Sequence, residues 1–245
     1  MLLNMKTTLI RADADQLLTG PAPPTPENQI KAREIVVRAN ETINLLGHWI
    51  DSPIQRRHRF VVGIAPPLGA RPIDDVQHYP GPVYAFRTVW RASKHLNANT
   101  SRVVLASIVI RCLTWLREAN SQQFATAEHI AEDVALEAEI AEAMQIGRDE
   151  VTHIIASVPY FLSWAGDSDD ILPPEDQDEI SGKLRFPCGT ADDPKGFAGI
   201  SCLWPLLTTG LSMFATDEHR SFIHGRMKAM SNGMGIKAAE SLAKV

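Results

Sequence analysis

The sequence predicts an all-α protein, an irregular helical bundle with a long acidic loop. Three observations carry that reading. Apolar residues recur at three- and four-residue spacing along most of the 245-residue chain, neither an internal repeat nor a strand ladder is visible, and segments rich in Pro, Gly or acids punctuate the periodic stretches. A chain of this length buries roughly 70 per cent of the surface its unfolded form exposes, enough for one full core. The expected organisation is a tail or linker over residues 1–25 and one helical domain over 26–245.

Gly20-Pro-Ala-Pro-Pro-Thr-Pro26 reads as an extended linker, because proline fixes its own φ and restricts the residue before it. Thr25 is then placed as an N-cap with Pro26 at the first helical position. Ile30, Ile35, Val37, Ile43, Leu46 and Ile50 continue at helical spacing, and Asp51-Ser-Pro53 ends the helix. Between Pro53 and Pro82 the chain is irregular, with a short strand at Phe60-Val-Val-Gly-Ile64. From Val83 to about Asn97, Tyr84, Phe86, Val89, Trp90 and Leu96 can line one helical face. Asn97 to Thr100 offers a break, and a buried helix follows over Ser101–Ala119.

Ala125 to Gly147 mixes alanines with acids around an apolar stripe of Ile130, Val134, Ile140 and Met144, and Gly147 is the expected stop. Asp149 is expected to cap the next helix, which runs to Trp164 and is kinked at Pro159. Residues 165–198 form the long loop, acidic at Asp167-Ser-Asp-Asp170 and Glu175-Asp-Gln-Asp-Glu179. Its two readings are an activation surface that recruits transcription machinery and a solvated linker. Three helices close the chain: Phe197–Gly210, Asp217–Asn232 behind an N-cap at Thr216, and Ile236–Lys244. The first of these is expected to hold Trp204 and Pro205 at the centre of the fold.

The formal charge of −5 divides into +7 over residues 1–117 and −12 over 118–245, and Arg56-Arg57-His58-Arg59 is the one real basic cluster. The cysteines, Cys112, Cys188 and Cys202, cannot frame a disulfide-stapled fold and favour a reducing compartment. No secretion signal opens the chain, and Ile200–Ala215, broken by Pro205 and Gly210, is shorter than the roughly 20 residues of a membrane span. The expectation is a protein of the nucleus or cytoplasm with no membrane partner.

Glu150-Val-Thr-His153 has the Glu-x-x-His spacing of di-iron bundles, but the second pair and two further glutamates are missing. Glu150 reads instead as a first-turn acid favoured by the helix dipole. His219 and His224, five apart, fall on different helical faces, and no nucleophile is spaced to form a local catalytic motif. Glycine-rich nucleotide loops are absent. No catalytic, metal or cofactor residue is therefore assigned, and no cofactor is expected. Trp90, Trp115, Trp164 and Trp204, with His153, are candidates to wall a pocket for a small apolar ligand, although core packing is the commoner use of such rings.

Ile154-Ile-Ala-Ser-Val-Pro-Tyr-Phe-Leu162, Leu203-Trp-Pro-Leu206 and Gly233-Met-Gly-Ile-Lys-Ala-Ala-Glu-Ser-Leu-Ala243, with the looser Val89-Trp-Arg-Ala-Ser-Lys-His95, give the chain a likeness beyond composition. From about Lys31 onward it resembles the helical regulatory region of fungal binuclear zinc-cluster (Zn2Cys6) transcription factors. It departs from them at His95 and Leu96, where the family has an aromatic residue and Asn. Six thiolates would be needed for the zinc cluster itself, and three cysteines cannot supply it. The resemblance implies a regulator of transcription, fitting a pathway of secondary metabolism. It would work through protein partners, the transcription machinery or a DNA-binding regulator, without sequence-specific DNA binding of its own. A small enzyme or binding protein for an apolar metabolite is the alternative, and a fragment of a longer gene product is a third reading.

Overall fold

The computed structural model describes residues 2–19, 24–69, 71–121, 127–162 and 196–242. Among them the chain is mostly helical. Eight helices, α1 (Leu2–Leu18), α2 (Pro26–Ile50), α3 (Pro53–Arg56), α4 (Val89–Ser121), α5 (Ala127–Leu162), α6 (Gly196–Gly210), α7 (Asp217–Met234) and α8 (Lys237–Leu242), accompany two strands, β1 (Arg59–Ala65) and β2 (Gly81–Phe86). The acidic loop expected at 165–198 lies almost wholly outside the described residues, as do Trp164 and Cys188. The chain divides into two compact units.

One unit gathers residues 1–49, 101–150 and 212–214. The stretch read from sequence as a tail contains α1, which buries Ile10, Ala14 and Leu17 along one stripe and is tied by Asp13 to Arg38 (2.7 Å) and by Asp15 to Arg111 (3.0 Å). Thr25 caps α2 as expected, its hydroxyl accepting from the Asn28 amide at 3.3 Å. The buried stripe of α2 runs through Ala32, Ile35, Val36, Ala39, Ile43 and Leu46, whereas Ile30 and Val37 face solvent. Small alanines, which hydropathy ranks low, occupy the inner face and let neighbouring helices close in.

Gly147 does not stop a helix. Helix α5 continues through it, and Asp149, expected as a cap, lies mid-helix and accepts from Gln145 at 2.8 Å. The Glu150 carboxylate, expected in a first turn, is instead buried beside the Arg102 guanidinium.

The other unit gathers residues 50–100, 151–211 and 215–245. The strand expected at 60–64 is β1, and it pairs antiparallel with β2 in a register that matches Arg59 to Phe86 and Ala65 to Gly81, with an irregularity between Val61 and Gly63. Residues 83–86 therefore extend as strand rather than opening a helix. Pro82 and the β-branched and aromatic residues after it suit a half-buried strand, and Val83, Tyr84, Ala85 and Phe86 are all buried. The break expected at 97–100 is absent, because Asn99 and Thr100 are buried within α4 and the Thr100 hydroxyl donates to the Leu96 carbonyl at 2.7 Å.

Tyr160, Phe161 and Leu162 of α5, Leu206 of α6 and Phe222 of α7 are almost fully buried. Glycines set the close approaches here: a β-carbon on Gly199 would meet Met234 and Ile236, and one on Gly225 would overlap the Asp74 backbone. Thr216 caps α7 in a reciprocal box with His219, and Gly235, at φ 69°, ends it in the left-handed region that glycine tolerates. No helix of the described residues is long and apolar enough to cross a membrane.

Candidate functional site

Of the residues singled out from sequence, Trp164 lies outside the described residues, Trp115 belongs to the first unit, and Trp90, His153 and Trp204 belong to the other. Trp204 is 61% exposed and Trp90 is 69% exposed. Neither is a core residue. Trp90 opens α4 with the Lys94 ammonium 4.8 Å from its ring centroid, whereas Trp115 is half-buried in the first unit.

Trp204 faces outward with the partly exposed Ser201 and Thr208 beside it, on a helix that is otherwise mostly apolar. The inner face is decided by size. Ala198, Gly199, Cys202, Pro205, Leu206 and Thr209 are buried, and contacts at Gly199 and Gly210 hold α6 against its neighbours at short range. The opposite face then carries Ile200 and Trp204, one turn apart, with Leu211 two turns on. These three are each about 60% exposed. Pro205 is buried as expected, although the tryptophan beside it is not.

His153 is half-buried, and its Nδ1 lies 2.9 Å from the Tyr84 hydroxyl, which donates when that nitrogen is unprotonated. The Arg59 guanidinium covers the other part of the Tyr84 ring at 5.1 Å. Deeper in the unit, His95 is 1% exposed and sits 5.4 Å from the Phe86 ring, which in turn meets Tyr160 edge-on at 5.2 Å. Burial first, then the nearby charges of Arg59, His58 and Arg91, lower its pKa to about 4. His95 is thus a neutral core imidazole packed among aromatic rings.

Tyr79 approaches Glu218 at 3.4 Å and packs on His219 and Phe222. The His219 Nδ1 accepts from the Thr216 amide at 3.2 Å, which leaves the proton of the neutral ring on Nε2. Beside them is a cleft of about 20 Å³ lined by Tyr79, Pro82, Thr152, Ile155 and His219, room for about one water and no more. In the first unit an open groove of about 610 Å³ runs along Ile30, Arg33, Val37 and Leu116, crossed by an Arg33–Glu132 pair at 2.9 Å. Among the described residues no group of three His, Cys, Asp or Glu is placed to hold a metal ion. Cys112 is buried, and burial pushes its thiol up to about 11, the wrong direction for a nucleophile.

The exposed row on α6 is a surface that sequence reasoning missed, and the cationic end of the β-hairpin is one it marked only as a basic cluster. The outward row had only a faint sequence signal, Ser201 and Thr208 beside Trp204 on an otherwise mostly apolar helix. The hairpin end had one in Arg56-Arg57-His58-Arg59. Comparison with family models, with curated proteins and with solved structures finds no match.

Proposed function

We propose that this chain is a regulatory, protein-binding helical domain of the fungal zinc-cluster transcription-factor type, working in the nucleus or cytoplasm without a DNA-reading module of its own. Control of a pathway of secondary metabolism fits that type. The observation that carries the reading is the outward row of Ile200 and Trp204 on α6 with Leu211 just past its end, built partly from the same Leu-Trp-Pro-Leu segment on which the resemblance rests. Large apolar side chains in a row on a protein surface mark interaction sites, and tryptophan is the residue most enriched among those that dominate binding. The enzyme or apolar-ligand alternative has less support, because two of its four candidate tryptophans are mostly exposed.

The test is to fuse the whole chain to an unrelated DNA-binding domain in a fungal host and read a reporter gene. A several-fold change in reporter output, lost on the double substitution Ile200→Ser and Trp204→Ser without loss of helical content, is the expected result. A fusion that leaves the reporter unchanged would overturn the reading.

A further inference from the structure

The β-hairpin holds a feature that the α6 surface does not explain. In the two-stranded sheet, β1 pairs with β2 along one edge only. No backbone hydrogen bond joins residues 59–65 to any described residue outside the hairpin. Val61 and Ile64 on this strand are 42% and 45% exposed, whereas four consecutive residues of β2 are buried. An edge of this kind offers unused amide and carbonyl groups to another chain, and proteins ordinarily blunt it. The irregularity between Val61 and Gly63 only breaks the edge into two short stretches, and it thereby fixes a register.

Cations gather where β1 begins. The Arg87 amide donates to the His58 carbonyl at 3.1 Å and its Nε to the Arg57 carbonyl at 3.0 Å, while its guanidinium lies 5.7 Å from the Phe60 ring. Arg59 is paired in register with Phe86, and Arg91 and Lys94 follow on the first turns of α4. Desolvation first, then the charges of Arg91 and Arg87, hold the His58 pKa below its ordinary value. Among the described residues, Arg57, Arg59, Arg87, Arg91 and Lys94 have no carboxylate within 4 Å; the neighbouring Asp51 is engaged at 3.5 Å by Arg56. Five cations thus belong to the segments that meet where β1 begins: the approach to β1, the end of β2 and the start of α4.

We propose that the free edge of β1, with the Arg57, Arg59, Arg87, Arg91 and Lys94 group at its start, docks an extended acidic peptide of a partner protein as a third strand. Main-chain hydrogen bonds along the two stretches of β1 on either side of the irregularity would give affinity, Val61 and Ile64 would each meet an apolar side chain, and carboxylates would meet the cations. A long nucleic acid fits less well, because it makes no use of a strand edge. A second copy fits less well too, since antiparallel pairing of two β1 strands brings the arginine end toward Ile64-Ala-Pro-Pro67, which has no acid. The inference uses a surface other than α6 and stands or falls apart from the function proposed above.

The experiment uses the full chain and a fluorescent peptide of alternating Glu and Val, eight residues long. Its anisotropy is compared with that of the same peptide N-methylated on alternate amides and of a Lys-Val counterpart. Hydrogen exchange is followed over residues 59–65. Expected are saturable binding of the Glu-Val peptide, about tenfold weakening by N-methylation and by Arg57→Glu with Arg91→Glu, no binding of the Lys-Val peptide, and slowed exchange in β1. The N-methylated probe needs no variant, so misfolding of the double reversal cannot hide the answer. Equal binding of the N-methylated peptide, or unchanged exchange in β1, would overturn the proposal. So would tighter binding of oligothymidylate, β1 protection that depends on chain concentration without peptide, or protection lost on deleting residues 167–179, which would make the occupant a nucleic acid, a second copy or the chain's own acidic segment.

Discussion

Gly147 and Phe214 share one packing position: a β-carbon added to Gly147 would lie 2.4 Å from the Phe214 ring. Helix propensity favours alanine over glycine by about 1 kcal/mol inside a helix, so on propensity alone Gly147→Ala should stabilise α5. Packing reverses the sign. Displacing a seated ring costs about 1–3 kcal/mol, and urea denaturation of Gly147→Ala is expected to show a net loss. A stabilised variant would mean that Phe214 moves without cost.

Trp204→Ala is expected to change stability by less than about 0.5 kcal/mol, since the side chain is mostly solvent-facing. Phe222→Ala, on α7 at 0% exposure, is the contrast and should cost about 3–5 kcal/mol. Parallel thermal unfolding of the two variants checks both, and a Trp204→Ala loss as large as that of Phe222→Ala would put the tryptophan in the core after all.

The ion pair of Arg102 with Glu150 joins α4 and α5 inside the first unit, with the arginine side chain 17% and the glutamate 3% exposed. Removing one member strands the other. Arg102→Met and Glu150→Gln should each cost about 3–5 kcal/mol, whereas replacing both by apolar residues of similar volume should recover much of the loss. A double-mutant cycle in denaturant would measure the coupling. Additive losses would show that the pair is held apart in solution.

His95 links stability to pH. Its folded pKa of about 4 lies below the ordinary 6.5, so the unfolded chain takes up its proton first as pH falls. The sign follows directly: above pH 6.5 this group imposes no penalty, between 6.5 and 4 stability declines, and below 4 the loss is complete at about 3 kcal/mol. His95→Gln should flatten the stability profile over that window, measured as unfolding free energy in urea from pH 7 to 4. An unchanged slope would assign the acid sensitivity elsewhere.

The helical class, the capped start of α2, the strand at β1 and the three closing helices follow from local chemistry, and sequence alone was enough for them. Thr25-Pro26, Thr216 and Gly235 act through hydrogen bonds and backbone preferences within a few residues of themselves. Other features are decided only by what packs alongside. Gly147 and Asn97–Thr100 read as breaks because glycine and polar residues weaken an isolated helix, yet packed neighbours carry α5 and α4 through them. Tyr84 and Phe86 suit a helical face as well as a strand, and pairing with β1 chooses the strand. The same holds for the surfaces. A mostly apolar helix such as α6 carries only a faint record, Ser201 and Thr208, of which face turns outward; the small residues that let α7 approach settle it, and Trp204 is left in solvent as the consequence.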